Sequence, residues 1–379
     1  MALVLNEEQL MLRRSAMDFC KNTGPITHFR SLRDSKSADG FSRDVWKQMC
    51  ELGWAGITVD EAYGGLAFGW QGLGVVMETL GTTLVPSPLL QTVALGASLI
   101  EQAGSEELKS KYLPSIISGD TLVSLALEEE GRHRPEMIMS IAEKNQDGWI
   151  ANGRKVMVTD AHVADQMIIA VRTAGESDDT HGISLFMVPQ DDPNLTITTS
   201  LLVDSRPVSA VSFNNLQVND GQLLGEIDGG WKFLDQTLDK GRIILAAEML
   251  GIATRSFEMT LDWLKEREQF GVPIGSFQAL QHRASHMFSE IEVAKSAVYK
   301  ALTALEEDPS SVPVLASMAK AIMGELLYLV TNEAVQMHGG IGVTDEHDIG
   351  FYIKRARVAE MTFGDSVFHR DRYATLQGY

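Results

Sequence analysis

The sequence predicts an α+β fold in which two helical regions flank a region of short strands. Helical patterning fills residues 1 to about 119 and returns after about residue 226, whereas the residues between carry apolar runs of strand length. With 379 residues, of which 44% are hydrophobic, the chain is long enough for two or three domains with substantial cores. We therefore expect a helical domain over 1–119, a β domain over 120–226 and a helical domain over 227–379.

The first region carries local signals for helix starts. Asn6 and Ser105 each precede a pair of glutamates, which is the pattern of a capping side chain followed by acidic residues in the first turn. The uncharged stretch 79–100 is long enough to raise the question of a membrane span, but Pro86 and Pro88 interrupt it. We expect two core helices joined at these prolines.

The middle region contains five short apolar runs that are typical of strands. They are Leu122–Leu127, Lys155–Thr159, Met167–Val171, Ile183–Val188 and Val208–Phe213. The dipeptide Asn152-Gly153 is a strong signal for a two-residue hairpin turn, so we expect a hairpin there.

The last region shows apolar residues spaced alternately by four and three, the period of a helix with one core-facing stripe. The first stripe is Ile243, Ala247, Leu250, Thr254, Phe257, Leu261 and Leu264, and the second is Leu280, Ala284, Met287, Ile291, Ala294, Val298 and Ala301. A third helix is expected from Pro313 toward Gln336, with a shorter pair of helices around Gly364. Together these helices predict a four-helix bundle.

Composition excludes some classes of function. A formal net charge of −19 argues against general affinity for nucleic acid or an anionic membrane, while a local basic pocket for a phosphorylated cofactor stays compatible with it. The chain has only two cysteines, Cys20 and Cys50, and no apolar run typical of a signal peptide at its start. We expect a reducing, cytoplasmic compartment.

Two separated segments predict an anion site. Arg267–Ile274 is followed by Phe277-Gln278, and Gln336–Gly342 comes much later; both segments lie where a helical pattern meets a glycine-containing turn. A guanidinium, side-chain amides and backbone N–H groups could converge there on one diphosphate. The alternative for the first segment is an ordinary helix end, with Gly271 as the left-handed cap and Pro273 stopping the helix.

These segments, together with Glu61–Gly65, Asp239–Arg242 and Phe363–Asp365, resemble the acyl-CoA dehydrogenase family along nearly the whole chain. The resemblance implies an N-terminal α-helical domain, a central β-barrel or sandwich domain and a C-terminal four-helix bundle. It also implies an FAD-dependent oxidoreductase that removes hydrogen from the Cα–Cβ bond of an acyl-CoA thioester, with an electron-transfer flavoprotein as the partner that takes the electrons.

The resemblance implies a flavin site shared between subunits of a dimer or tetramer. The residues that it assigns to the diphosphate and adenosine of FAD are Arg267, Phe270, Gln278, Gln336, Gly339 and Gly340. In the segment that resembles the strand beside the isoalloxazine, Thr159 would meet N5; the alternative is an ordinary strand threonine. Met157 stands where the family usually has tryptophan, which implies weaker stacking on the ring.

One loop departs from the family pattern. The run Glu128-Glu129-Glu130 replaces the usual Thr-Glu-Pro sequence, and three carboxylates would repel a phosphate. Either Arg132 or Arg134 offsets that repulsion, or the run is a solvated stretch of charge.

Dehydrogenation needs a carboxylate that takes the α proton, and neither usual family position supplies one. Phe363 occupies the first position and Gly241 the second. Three explanations stay open: an acid such as Asp365 moves into range, the chain performs different flavin chemistry, or it is the base-less partner subunit of a heteromeric enzyme. The last is favoured by a resemblance to pimeloyl-CoA dehydrogenase small subunits and to heteromeric steroid-chain acyl-CoA dehydrogenases.

We take Asp365 and Arg242 as candidate catalytic residues. For Asp365 the alternative is a helix N-cap, because aspartate is favoured at that position before Ser366. For Arg242 the resemblance implies a role in organising the active-site cavity, and the alternative is a buried ion pair with Asp239. No metal site is predicted, since His282 and His286 lack a matching carboxylate motif, whereas the histidine of the Gln336–Gly342 segment is expected near the cofactor.

Overall fold

The computed structural model describes residues 5–379 and confirms the order of helices, strands and helices. The helices are α1 (Glu7–Asn22), α2 (Ile26–Asp34), α3 (Arg43–Glu51), α4 (Trp70–Gly81), α5 (Ser98–Ala103), α6 (Glu106–Ile117), α7 (Trp231–Glu266), α8 (Gln278–Glu307), α9 (Val312–His338), α10 (Ile349–Met361) and α11 (Ser366–Leu376). The strands are β1 (Val123–Ala126), β2 (Ile141–Lys144), β3 (Trp149–Thr159), β4 (Gln166–Arg172), β5 (Ile183–Pro189), β6 (Leu195–Leu201), β7 (Pro207–Val218), β8 (Leu223–Leu224), β9 (Glu268–Gln269) and β10 (Val272–Pro273).

The chain forms two compact units. The first comprises the described part of Met1–Asp34 together with Trp70–Val85 and Arg242–Tyr379, and it is helical apart from the small ribbon β9–β10. The second comprises Ser35–Gly69 and Pro86–Gly241 and contains the main sheet. The helices before residue 120 are therefore divided between the two units.

The main sheet of the second unit has eight strands in the order β6-β7-β3-β2-β4-β5-β8, with β1 also pairing to β4. The pairing is antiparallel except for the β1–β4 and β2–β4 pairs. All five predicted runs lie in strands, namely β1, β3, β4, β5 and β7. Strands β2 and β6 were not predicted from the sequence.

The predicted hairpin at Asn152-Gly153 is wrong, because both residues lie inside β3. The turn comes earlier, where the Asn145 N–H donates to the Gly148 carbonyl at 2.9 Å. At Asn152-Gly153 the register with β7 shifts by a bulge, and a Cβ at Gly153 would lie 2.1 Å from Ser140 Oγ. Glycine serves here for close packing of neighbouring strands rather than for a turn.

The helices of the first unit confirm the predicted C-terminal pattern. Both periodic stripes lie on single long helices, α7 and α8, and α9 covers the third predicted helix. In the same unit, α4 and α7 cross at glycines: a Cβ at Gly251 would lie 1.9 Å from the carbonyl oxygen of Glu78. The stretch Pro309–Val343 is apolar and long enough to cross a membrane, and 61% of its most apolar window is buried, as in a core helix of a bundle.

Both predicted N-caps are also observed. The Asn6 side chain accepts the Gln9 N–H at 2.8 Å, and the Gln9 side chain accepts the Asn6 N–H in return. Ser105 Oγ accepts the Leu108 N–H at 3.3 Å. The uncharged stretch 79–100 contains the end of α4 and a separate helical segment that begins at Leu89, with the two prolines between them, as predicted.

Candidate functional site

The first predicted anion-binding segment forms a tight ribbon between α7 and α8. Strands β9 and β10 are joined by Phe270 and Gly271, whose φ angles are +54° and +79°, as a two-residue hairpin turn requires. Helix α7 ends at Glu266, five residues before Gly271, so the alternative in which Gly271 caps that helix is wrong. The ribbon is anchored because the Ile274 N–H donates to the Arg267 carbonyl at 2.8 Å.

The side chains of this ribbon face outward. Arg267 and Gln278 are exposed, and Phe270 is 93% exposed, with its ring against that of Phe277 at 6.2 Å between centroids. Gln278 is the first residue of α8, at the helix end that favours anions. A charged group, an apolar ring and an amide are thus all exposed within the short segment 267–278.

The second segment forms the C-terminal end of α9. Gln336 is exposed, and α9 ends at His338 because Gly339 adopts φ +66° and ψ −142°, a conformation that favours glycine. Nothing lies within 4 Å of the position that a Cβ would take at Gly339 or Gly340. The bare main chain at this turn therefore faces open space that a ligand could approach closely.

The two segments meet through three aromatic side chains, Trp263, His338 and His347, which we call the ring cluster. The Trp263 and His338 rings are stacked with centroids 5.5 Å apart, and His347 lies 4.4 Å from His338 and 6.0 Å from Trp263. The Arg267 guanidinium lies 6.0 Å from the Trp263 ring centroid. The fold thus brings Arg267 and the end of α9 to one place, although about 70 residues separate them in sequence.

His338 carries an unsatisfied polar atom in the ring cluster. The side chain is 3% exposed, and its Nδ1 lies 2.7 Å from the Ala334 carbonyl, so Nδ1 carries the hydrogen and Nε2 is an acceptor. That Nε2 is buried and has no hydrogen-bond partner. Burial holds the pKa of His338 below its ordinary value, which keeps the ring neutral at pH 7.

Trp263 and His347 are components that the sequence analysis missed. Neither belongs to a recognised motif: Trp263 lies on the last turns of α7, and His347 lies in the loop after the glycines. Tryptophan one turn before an arginine at a helix end was a usable signal, because stacked arginine needs an aromatic face.

The predicted isoalloxazine-side residues lie at the end of β3, in the second unit. Met157 is 52% exposed and has φ +54°, at a bulge between Lys155 and Val158 where β3 loses register with β7. The bulge turns Met157 outward. Thr159 is half-buried, and its carbonyl accepts the Ser124 hydroxyl at 2.7 Å, so its backbone position is fixed.

The run Glu128-Glu129-Glu130 is not a solvated stretch. Glu129 is buried against Lys155, whose Nζ donates to Glu129 Oε1 at 2.6 Å, and its carboxylate also accepts the Ser140 N–H at 3.0 Å. Burial opposes ionisation of Glu129, but the positive charge of Lys155 holds the pKa of Glu129 below its ordinary value. The pKa of Lys155 is also lowered, because burial outweighs the effect of the Glu129 carboxylate.

The other two glutamates of the run, Glu128 and Glu130, are less buried than Glu129. Glu128 pairs with His133, and Glu130 is exposed, as are Arg132 and Arg134. One carboxylate of the three is therefore neutralised by a buried lysine, which removes part of the phosphate repulsion expected from the run.

The second candidate centre is the turn between α10 and α11. Phe363 has φ +59° and Gly364 φ +102°, so the chain reverses through two left-handed residues. The Phe363 carbonyl accepts hydrogen bonds from His369 Nε2 at 3.0 Å and from Arg242 Nε at 3.5 Å. Arg242 is fully buried, so it is placed to hold the turn.

Lys320 holds the same turn from α9. It is 1% exposed, and its Nζ donates to the carbonyls of Ala359, Glu360 and Gly364 at 2.9–3.1 Å. Burial lowers the pKa of Lys320 to about 7. The sequence analysis missed this lysine because a single lysine in an apolar helix gives no signal of three carbonyls that approach it from another element.

Asp365 occupies the N-cap of α11. Its Oδ1 accepts the Phe368 N–H at 2.8 Å, which is the capping arrangement that the sequence left as the alternative to catalysis. His282 and His286 are exposed on α8, and no three His, Cys, Asp or Glu side chains in residues 5–379 come together as metal ligands.

Comparison with known proteins covers nearly the whole chain. Models of the N-terminal, middle and C-terminal domains of acyl-CoA dehydrogenases match residues 6–120, 126–216 and 228–375. The probable acyl-CoA dehydrogenase YngJ of Bacillus subtilis (strain 168) is 32% identical over 372 residues, which cover 97% of each chain.

Two solved structures are similar over their full lengths. Butyryl-CoA dehydrogenase from Megasphaera elsdenii superposes with a TM-score of 0.91 at 27% identity and covers 100% of both chains. A chain of the ChsE4-ChsE5 complex from Mycobacterium tuberculosis superposes with a TM-score of 0.89 at 25% identity, again over 100% of both chains.

Proposed function

The chain belongs to the acyl-CoA dehydrogenase family, and we propose that it binds FAD and takes part in the α,β-dehydrogenation of a CoA thioester. The observation that carries the proposal is the meeting of Arg267 with the end of α9 at the ring cluster. We further propose the family's three domains for this chain, over 1–119, 120–226 and 227–379.

The residues of the two predicted segments fit a dinucleotide. Arg267 supplies a fixed positive charge, and Gln278 and Gln336 supply exposed amides that suit phosphate and hydroxyl groups. Gly339 and Gly340 leave room for close approach of a diphosphate to the main chain. When bound, FAD supplies the acceptor for the two electrons that leave the Cα–Cβ bond.

We propose that these groups serve a flavin held mainly by a neighbouring subunit. The side chains of Arg267, Phe270 and Gln278 are exposed on the ribbon and the adjoining start of α8, which suits contact with another chain. The neighbour is a second copy or a related dehydrogenase subunit in a dimer or tetramer. An electron-transfer flavoprotein is the proposed electron acceptor, and the cytoplasm the proposed compartment.

The isoalloxazine side of the site is proposed at the end of β3. Thr159 is half-buried at a fixed backbone position, and the outward bulge at Met157 gives the ring a surface to lie against. The neutralised Glu129 keeps negative charge away from that surface. This arrangement orients the ring and excludes water from one of its faces.

We propose that the α proton is taken by a carboxylate of a partner subunit. Phe363 cannot accept a proton, and Asp365 already uses Oδ1 to cap α11. Arg242, Lys320 and His369 instead hold the turn rigid. Membership of a heteromeric branch, similar to the ChsE4-ChsE5 complex, follows from this proposal.

The experiment is co-expression of the chain with neighbouring dehydrogenase subunits, followed by absorbance spectroscopy and anaerobic titration with a panel of acyl-CoAs. We expect a bound yellow flavin that bleaches only when the partner is present. Absence of flavin from both the single chain and every complex, even with added FAD, would overturn the proposal.

The second candidate is a flavin-binding subunit that never touches substrate, and the aromatic Phe363 at the base position favours it. The two candidates differ in one measurement. Removing the partner's base abolishes bleaching under both candidates, because this chain supplies no base of its own. Arg242→Lys in this chain, with the partner intact, should slow bleaching if the chain lines the substrate site, and should leave bleaching at the parent rate if the chain binds flavin without touching substrate.

A further inference from the structure

We propose that Arg30 and Arg33 on α2 are positioning residues for the flavin site, because they clamp the loop 344–348 that holds His347 in the ring cluster. We call the contacts of these two arginines with Asp345 and Asp348 the α2 clamp. The inference rests on the proposed function, since it assigns a role in cofactor binding to residues that do not touch the diphosphate site.

Arg33 makes a two-pronged contact with one carboxylate. Its Nη2 lies 2.8 Å from Asp345 Oδ2, and its Nη1 contacts Asp345 Oδ1. Such forked pairs fix direction as well as distance. Hydrogen bonding from Arg33 lowers the pKa of Asp345 to about 2, so the carboxylate stays ionised throughout the neutral range.

Arg30 holds the loop at two further points. Its Nη2 lies 2.6 Å from Asp348 Oδ1, and its Nη1 donates to the Asp345 carbonyl at 2.9 Å. Both guanidinium groups lie over the Phe351 ring, at 4.5 Å for Arg30 and 4.7 Å for Arg33. The shared aromatic ring limits the orientations of the two arginines.

The clamped aspartates lie on either side of His347 in the chain. The His347 ring is further fixed because its Nδ1 accepts the Ile349 N–H at 3.1 Å. This ring lies 4.4 Å from His338, whose neighbour in sequence is Gly339. A continuous set of contacts therefore leads from α2 to the turn proposed for the diphosphate.

The α2 clamp fixes the position of the loop 344–348 more than it stabilises the folded chain. The Asp345 side chain is 63% exposed, so solvent screens its charge, and its forked contact fixes the orientation of the loop more than it adds to the free energy of folding. Removal of the clamp should therefore change cofactor affinity much more than it changes the melting temperature.

The test compares Asp345→Asn with Asp39→Asn in the full chain, assembled with its partner. Asp39 is a matched control because its exposed ion pair, 2.8 Å from Arg43, lies outside the ring cluster. Titration with FAD should show a Kd raised about tenfold or more for Asp345→Asn, the range seen when residues that orient direct ligands are changed. Asp39→Asn should leave Kd unchanged, and Asp345→Glu should restore part of the affinity.

Hydrogen exchange of the cofactor-free chain separates this inference from the proposed function. In Asp345→Asn the amides of residues 339–347 should exchange faster than in the parent chain, with no change in Asp39→Asn. If the parent chain binds FAD and Asp345→Asn binds it equally well, the positioning role is overturned. If the parent chain takes up no FAD in any assembly, the proposed function fails, and the exchange result still decides whether the clamp orders the loop.

Discussion

The turns that follow α9 and α10 both pass through left-handed backbone, but they differ in what they leave unsatisfied. After α9, Gly339 and Gly340 face open space, and the buried Nε2 of His338 has no partner. After α10, the carbonyls of Phe363 and Gly364 are bound by buried side chains. The first turn has the features of a binding site, and the second those of a rigid wall.

The difference suits the proposed function, in which the chain contributes to a cofactor site but supplies no base. A left-handed phenylalanine is uncommon, and the strain at Phe363 requires fixed partners around it. Arg242, His369 and Lys320 provide those partners. These three buried side chains already donate hydrogen bonds to the carbonyls of the turn. They are therefore not free to orient a carboxylate that must take and release a proton.

The largest expected effect is on folding stability, through the turn after α10. Lys320→Met removes the donor from three carbonyls, and each buried unsatisfied group costs about 1–3 kcal/mol, so we expect the free energy of unfolding to fall by at least about 3 kcal/mol. Chemical denaturation measures this. Lys300→Met, at an exposed position of α8, is the control and should have little effect. Equal stability of the two variants would show that the turn does not depend on Lys320.

The pH dependence of folding stability in the parent chain and in Lys320→Met tests whether the buried lysine causes the loss. The pKa of Lys320 is about 7 in the folded chain, below its ordinary value, so above pH 7 the unfolded chain binds more protons than the folded one. Stability contributed by this lysine therefore rises with pH from about 7 until the unfolded lysine also loses its proton. The loss caused by Lys320→Met should be larger at pH 9 than at pH 6, and the opposite trend would contradict the assignment.

The next effect is expected at Arg267, which meets the open turn after α9 through the ring cluster. Arg267→Ala removes a charge-assisted contact to phosphate, worth about 1.5–3 kcal/mol, and should weaken FAD binding by about tenfold to a hundredfold. Lys265→Ala is the matched control, because Lys265 is an exposed cation of the same helix end but is not part of the predicted motif. Equal Kd values for the two variants would show that only the general charge of the helix end matters.

The sequence predicted the long helices well because periodic burial over many residues leaves little choice of structure. It missed β6, whose threonine-rich sequence is mostly exposed. It also placed a hairpin turn at Asn152-Gly153, because this dipeptide is a local turn signal and the sequence does not show which strands pair with that segment. Pairing of β3 with β2 and β7 decided that segment instead.

For the site, motifs indicated the residues that carry charge or bare backbone, but not the residues that hold them. Trp263 and His347 are 84 residues apart in sequence, and their contact exists only in the folded chain. Glu129 resembled a solvated charge because it lies in a loop and its partner Lys155 lies on β3, 26 residues later in the sequence. Supporting contacts of this kind depend on the tertiary fold and leave no local pattern.

A smaller effect is expected at Asp365, where two substitutions separate capping from catalysis. Asp365→Asn keeps a good N-cap and removes a base, whereas Asp365→Ala removes both. We expect Asp365→Ala to lower the free energy of unfolding by about 1 kcal/mol, and Asp365→Asn to reduce flavin at the parent rate in stopped-flow measurements. A loss of about a hundredfold in Asp365→Asn would instead identify this carboxylate as the base.

The smallest effect is expected from restoring the aromatic side chain beside the proposed isoalloxazine. Met157 is already turned outward at its bulge with φ +54°, so tryptophan would meet the same backbone strain as methionine and has space to extend. Stacked aromatic pairs contribute about 0.5–1.5 kcal/mol, so Met157→Trp should lower the Kd for FAD by about threefold and alter the flavin absorbance spectrum. Met157→Leu, which changes shape without adding a ring, should do neither. Tighter binding of FAD in both variants would mean that apolar contact area at the end of β3, and not a stacked ring, determines the affinity.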